Sequence, residues 1–309
     1  MNKIINFHDV KDINWFEDII LILTKKYDLV AIDSIESFFY EKKSLRNACH
    51  ITVDDGNTSF YDIIYPVLKK HNIPATLFIS PEACLNQQNF WFQEIEGYDM
   101  IELHRSISSF LGIEENLLKG YPASHILKNL KIDEIWKIIE IYKQHLNVIP
   151  KKCVNMGTDK IVEIDNDGLV AIGAHTMSHP ILFNEDDLNC RKQISSSIFS
   201  LSRLLGHEIK YFAYPNGVPN LDFGDREIDI LVKAGCKLAF STESKNFTEK
   251  NDPFSIPRFG ISHGNRFFVN TKLFLGEYWN TLRELRIKGE KKSRTELKAI
   301  INTKIRKNM

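Results

Sequence analysis

The sequence has no surplus of charge, little cysteine and no long apolar run, and each absence removes a class of function. Lys plus Arg and Asp plus Glu both total 40 in 309 residues. A balanced chain generates no field to gather a polyanion, so nucleic acid is not an expected partner. The five cysteines (49, 84, 153, 190 and 236) are scattered, odd in number and free of any Cys-x-x-Cys pair. That excludes a disulfide framework and a thiolate zinc ribbon, and predicts reduced thiols serving mainly as small core residues. No stretch reaches the roughly 20 apolar residues of a membrane span. The opening MNKIINFHDV meets His8 and Asp9 before a secretory apolar core forms, so the expected location is cytoplasmic.

What is present is a core-forming composition, 43% apolar and 11% aromatic. Short runs rich in Val, Ile and Phe alternate with helical patterns, which predicts parallel strands joined by crossover helices, as a doubly wound sheet or a barrel. The expected strands are Lys3–Phe7, Cys49–Val53, Ala75–Ser80, Val170–Ala174, Tyr211–Tyr214, Leu238–Ser241 and Ser255–Ile261. Asn14–Lys26 puts Trp15, Ile19, Ile22 and Leu23 on one face, a helix with Asn14 as its expected cap; Ser59–His71 repeats the theme. Residues 84–165 break the alternation with a mainly helical, aromatic stretch too long for an ordinary connection, and are expected to form an inserted cap. Residues 1–275 are accordingly assigned to one catalytic unit and 276–309 to a basic helical tail. Between 280 and 309 there are ten Lys or Arg against three Glu. Leu282, Leu285, Leu297, Ile300, Ile301 and Ile305 punctuate that tail, which suits a helix packed on the domain or a peripheral contact with an anionic membrane.

Ligand sites in both architectures form beyond the carboxyl ends of the strands, so motifs at strand ends matter most. HITVDDG (50–56) is an apolar strand that stops at two carboxylates, Asp54 and Asp55, which point in different directions. In isolation, Asp-Gly is an ordinary turn. VAIGAHTMSHP (170–180) ends another strand at His175, with His179 four residues on. Two imidazoles and a carboxylate are a donor set for a divalent metal that leaves positions open for water and substrate. Pro180 biases His179 away from helical geometry, so a shaped turn is expected instead of a helical His-Glu-x-x-His. YFAYPNG (211–217) runs an aromatic strand into a turn able to present backbone N–H groups to a developing oxyanion.

Together these segments resemble the polysaccharide deacetylase family, carbohydrate esterase family four, over about residues 3–263. The resemblance implies a distorted (β/α)7 barrel that hydrolyses N-acyl groups on sugars with a divalent metal. It implies Asp55, His175 and His179 as metal ligands, Asp54 as general base and the Asn216 backbone N–H in the oxyanion hole. Zinc is the expected ion, with cobalt, iron or nickel compatible with the same donors. Protonation of the leaving amine needs an acid, and His263 in RFGISHG is the candidate.

Two departures stand out. Many family members carry arginine two residues before the proline of the third motif, where this chain has Ala213; Arg258, on the adjoining strand, is positioned in sequence to compensate. Aspartate commonly follows the acid histidine, where this chain has Gly264. Tyr214, Asn216, Arg258, His8, Asp9 and Trp91 are the expected substrate contacts, with two of Phe90, Trp91 and Phe92 expected in the core. The expected substrate is an N-acylated amino sugar, acetyl or formyl, carried on a nucleotide, lipid or glycan as a precursor of a cell-surface polysaccharide. An O-acetyl esterase and a non-catalytic sugar-binding homologue are the competing readings.

Overall fold

The computed structural model describes residues 1–261, 264, 268–269, 271 and 277–307. Its centre is a parallel sheet of eight strands: β1 Lys3–Phe7, β2 Asp28–Leu29, β3 Ala48–Val53, β4 Ala75–Ile79, β5 Val170–Ala174, β6 Tyr211–Ala213, β7 Leu238–Phe240 and β8 Phe259–Gly260. The path runs β7-β6-β5-β4-β3-β1-β8, with β2 paired to the start of β3. A parallel bridge between Phe240 and Ile256 lays the chain entering β8 along β7 and closes the ring. The architecture is the distorted (β/α)7 barrel, and the short β2 is its one strand that sequence periodicity does not reveal.

Strand alternation sorts side chains between two environments. Ile5, Phe7, Ile51 and Val53 face outward into the main core, beneath the surrounding helices. Ile4, Phe78, Ala213, Leu238 and Phe240 share a separate apolar cluster. The register Ile4↔His50 and Asn6↔Thr52 threads polar residues through the same alternate positions. His50 is satisfied there by the Val30 carbonyl at 2.8 Å and Thr76 Oγ1 at 2.9 Å. Gly173 is required on β5, because a Cβ would come within 2.5 Å of the Phe78 ring.

Helix α1 spans Ile13–Lys26 and its cap is Asp12, not Asn14: the Asp12 carboxylate accepts from the Asn14 and Trp15 backbone N–H groups. Phe16, Ile19, Ile20 and Leu23 of this helix lie in the core, with Trp15 and Ile22 at its edge. Helix α2, Ile32–Tyr40, follows β2. The Ser59–His71 segment opens as a π-helical turn at Phe60–Ile64 and continues as α3, Tyr65–His71. Pro66, at the start of α3, has no N–H for an i→i−4 bond, and the widened turn accommodates that loss.

Between β4 and β5 come α4 Pro81–Leu85, α5 Trp91–Glu94, α6 Met100–Leu111, α7 Glu115–Leu118, α8 Ala123–Leu127, α9 Ile132–Leu146 and α10 Thr158–Asp167. Helices α5 to α9 enclose a second core of their own, whereas Ile161 and Ile164 of α10 return to the barrel core. After β5, α11 covers Asp187–Leu205 and α12 Asp225–Lys233; the chain ends in α13, Glu277–Lys307. Leu297 and Ile301 of α13 lie inside the core of the helical insertion. Both are taken up in packing, and Leu285 is the large apolar side chain of this helix that stands well exposed among the described residues; the side chains of Leu282 and Ile305 lie outside the described residues. Four of the cysteines are buried and all five are free. Burial pushes the thiols of Cys49, Cys84, Cys190 and Cys236 up to about 12.

Candidate metal centre

Asp54 and Asp55 leave the carboxyl end of β3, where the Asp54 N–H still bonds the Phe7 carbonyl of β1. Asp55 then turns into the left-handed region at φ 77°, followed by Gly56 at 71°. This reversal separates the two carboxylates: Asp54 reaches down toward the barrel axis, and Asp55 toward the end of β5. His175 follows β5 directly, its N–H on the Ile79 carbonyl. The loop to His179 is tightly wound, with Thr176 at φ 63° and His179 at 60°. Thr176 Oγ1 accepts from the His179 N–H at 3.1 Å. From α11, the buried Gln193 accepts from the Met177 and Ser178 N–H groups through Oε1 and donates to Ser178 Oγ through Nε2. Two left-handed non-glycine residues are costly, and these side chains hold them in place.

The result is a convergence of Asp55, His175 and His179, whose donor atoms lie within 4.8 Å of one another. Asp55 Oδ1 stands 3.5 Å from Nε2 of His175 and 3.5 Å from Nε2 of His179. A tetrahedral ion with bonds of about 2.0–2.1 Å separates its ligands by about 3.4 Å, so the spacing matches. Asp55 Oδ1 is buried without a hydrogen-bond partner among the described residues, the state of an atom that needs a cation. His175 Nδ1 lies 2.7 Å from the Ala213 carbonyl. That acceptor requires the proton on Nδ1 and leaves the Nε2 lone pair facing Asp55, as metal-binding histidines are commonly oriented. The donor set therefore fits a divalent metal.

Burial alone would raise the carboxyl of Asp55, but the adjacent imidazoles of His175 and His179 outweigh it and hold it well below the usual range. Burial and the adjacent His175 push His179 down to about 4. Asp54 is held differently. Arg258 forks onto it, Nη1 to Oδ1 at 2.7 Å and Nη2 to Oδ2 at 2.9 Å. Asn6 adds a bond to Oδ2 at 2.9 Å. Against the cost of burial, that guanidinium keeps Asp54 ionised, its carboxyl below the ordinary carboxylate range. Arg258 has no exposed surface; its Nε donates to the Ser241 carbonyl, and the guanidinium packs near Phe78 and Phe240. It replaces the arginine missing at Ala213, and since substrate cannot reach it, its expected role as a substrate contact is corrected to holding Asp54.

Other expected contacts sort by exposure. His8 and Asp9 line a cavity of about 840 Å³ together with Asp55, Asn57, Phe92 and Gln93. His8 Nε2 is 3.6 Å from Asp54 Oδ2, and its side chain is half exposed. Trp91 is buried in the core of the insertion and donates to the His179 carbonyl, so it buttresses the loop and does not offer a face to a sugar. Phe90 is buried as well; Phe92 is the aromatic that reaches the cavity, with its ring 4.9 Å from that of His179. Tyr214 is also no substrate contact, being buried, stacked on Phe223 at 3.6 Å and bonded to the Phe254 carbonyl. Asn216 occupies the Pro-Asn-Gly turn at φ 58°. His263 lies outside the described residues. Asn6 escaped the sequence reading; the available signal was a polar residue where the alternation of β1 turns to the barrel interior.

A profile of the polysaccharide deacetylase family matches residues 41–104 and 123–239. The chain is 25% identical over 240 residues to a poly-β-1,6-N-acetyl-D-glucosamine N-deacetylase of Staphylococcus aureus, an alignment covering 77% of this chain and 63% of that protein. Among solved structures, IcaB from Ammonifex degensii superposes with a TM-score of 0.56 at 17% identity, covering 84% of this chain and 91% of that one. The Streptococcus pyogenes deacetylase PplD in complex with acetate gives 0.55 at 14% identity with the same coverage. The structures share the barrel fold, and with more than half of its length matched by the family profile, the chain belongs to the polysaccharide deacetylase family.

Proposed function

We propose that this protein is a metal-dependent carbohydrate N-deacylase that removes the acetyl group from an N-acetylated amino sugar. The observation that carries the reading is a three-donor centre beside a separate, ionised carboxylate: Asp55, His175 and His179 converge, while Asp54 is committed to Arg258 and Asn6 instead of joining them. A divalent ion held by the three donors supplies Lewis-acid polarisation of the acyl oxygen and acidifies a water. Asp54 is the base: ionised, held by the Arg258 fork, and next to Asp55 in sequence, it accepts the proton of the attacking water. The Asn216 N–H has no acceptor among the described residues, which leaves it free to meet the oxygen that gains charge as the amide carbonyl becomes tetrahedral. His8 lines the same cavity within reach of Asp54, so it is the described imidazole placed to protonate the departing amine. Phe92 offers the cavity an apolar face for a sugar ring.

The Staphylococcus aureus relative's name supports acetyl over formyl and a glucosamine-type sugar; this chain spans 63% of that protein's length. The amino sugar is proposed to be a precursor of a cell-surface glycan. The decisive assay measures amine release from N-acetyl- and N-formylglucosamine oligomers, and acetate release from an O-acetylated counterpart, by the metal-replete chain. Expected is amine from the N-acetyl substrate, abolished by a chelator and restored by metal. A chain that holds stoichiometric metal yet frees no amine defeats the proposal.

A further inference from the structure

The C-terminal helix carries one side chain unlike its neighbours. Arg294 is 3% exposed, whereas Lys288, Lys291, Lys292 and Lys298 of the same helix are exposed. Burying a guanidinium carries a desolvation cost that only specific partners offset. Its Nη1 donates to Asp222 Oδ1 at 2.7 Å, and Nη2 to the carbonyls of Lys128 and Leu221 at 3.0 and 3.3 Å. Asp222, itself buried, uses its other oxygen on the Pro-Asn-Gly turn. Oδ2 accepts from Asn216 Nδ2 at 2.5 Å and from the Val218 N–H at 2.9 Å. On its far side, Thr242 holds the same turn through its Oγ1 to the Asn216 carbonyl and its N–H to that of Gly217.

We infer that Arg294 is a positioning residue for the reaction, acting through Asp222 to hold the Asn216 turn in the orientation that aims its N–H into the site. The inference rests on the reading of that N–H as the oxyanion donor. Asn216 and Gly217 both sit in the left-handed region, which these two residue types enter more readily than others, so it is the bonds to Asp222 and Thr242 that set the turn's orientation. Pairing with Arg294 fixes one Asp222 oxygen and thereby directs the other. Without the guanidinium, Asp222 becomes a buried, uncompensated charge that must turn toward water, and the turn loses its anchor on that side.

The test uses the full, metal-replete chain with an N-acetylglucosamine oligomer and compares Arg294→Met with Leu297→Ala. Leu297 is fully buried on the same helix and touches the insertion core, not the turn. Both substitutions should lower the melting temperature. Only Arg294→Met should lower kcat, by about tenfold with KM within twofold and metal content unchanged, because a donor aimed at the transition state contributes little to ground-state binding. Equal kcat losses in the two variants would show a general stability effect and overturn the inference, as would a wild-type kcat in Arg294→Met. If Arg294→Met does not fold, Asp222→Asn keeps the side-chain volume and reads the same quantity; a kcat within twofold of wild type overturns the inference. An inactive wild type would take down the functional reading and this one together, whereas an active wild type beside an unaffected Arg294→Met takes down only this one.

Discussion

Arg258→Met is the most informative perturbation, because it removes the support of Asp54, the proposed base, without touching Asp55, His175 or His179. In the native chain the guanidinium makes two charge-assisted bonds to Asp54, contacts Asn6 and Thr52, and donates to the Ser241 carbonyl. Methionine fills part of the same apolar sleeve between Phe78 and Phe240 but leaves Asp54, 2% exposed, with Asn6 as its remaining neutral donor. Breaking one side of a buried ion pair costs about 3–5 kcal/mol. At about 2–4 °C per kcal/mol for domains of roughly 150–250 residues, the melting temperature should fall by about 10 °C. Turnover should fall further than stability explains, by at least about 10²-fold, because a general base displaced by about an ångström loses most of its effect. Metal content should stay at one per chain, since Asp55, His175 and His179 make no bond to Arg258. Adding Ala213→Arg to this background should recover about tenfold in kcat, because Ala213 ends β6 in the interior cluster with Phe78 and Phe240 and gives an arginine a second route to Asp54. Calorimetry, metal analysis and amine release measure the three quantities on one preparation. A kcat within threefold of wild type, or loss of metal along with activity, would refute the assignment of Arg258 to Asp54.

Three further outcomes follow from the same geometry. Asp55→Ala and His175→Ala should purify without stoichiometric metal, whereas Asp54→Asn should keep the ion and lose about 10²–10⁴-fold in kcat; equal metal loss in all three would merge the roles separated here. His8→Ala should lower kcat more than KM, and Phe92→Ala should raise KM while sparing kcat, if the one meets the leaving group and the other a sugar face as proposed; steady-state kinetics with a common oligomer decide. Burial pushes His50 from 6.5 down to about 4. Its folded pKa therefore lies below the unfolded value, and the unfolded chain binds the extra proton between them. Stability is fully retained above about pH 6.5 and falls as pH drops toward 4, by about 3 kcal/mol from this residue. His50→Gln should lose correspondingly less over that interval in urea titrations, and a parallel pH profile for both proteins would show that His50 does not carry the effect.

Sequence alone determined every strand but β2, and the donor types at the strand ends. Val170–Ala174 and Lys3–Phe7 are legible because a buried strand is a local pattern, read from side chains within a few residues of one another. The same holds for the motifs: Asp54-Asp55 and His175…His179 are donor types at strand ends, and the barrel topology brings such ends to one mouth. Tertiary structure decided which side chain meets which. Arg258 reaches Asp54 across 204 residues of sequence, a pairing that exists only because β8 closes beside β1. Trp91 and Phe92 are adjacent and both aromatic, yet the packing of the insertion buries one and exposes the other to the cavity. In the basic tail, whose composition suits a membrane surface as well as a protein one, only the tertiary structure shows that Leu297, Ile301 and Arg294 find partners in the insertion and at Asp222. In each case the reason is the same: periodicity constrains a residue against its neighbours along the chain, but burial, partner and rotamer are fixed only once distant segments close on one another.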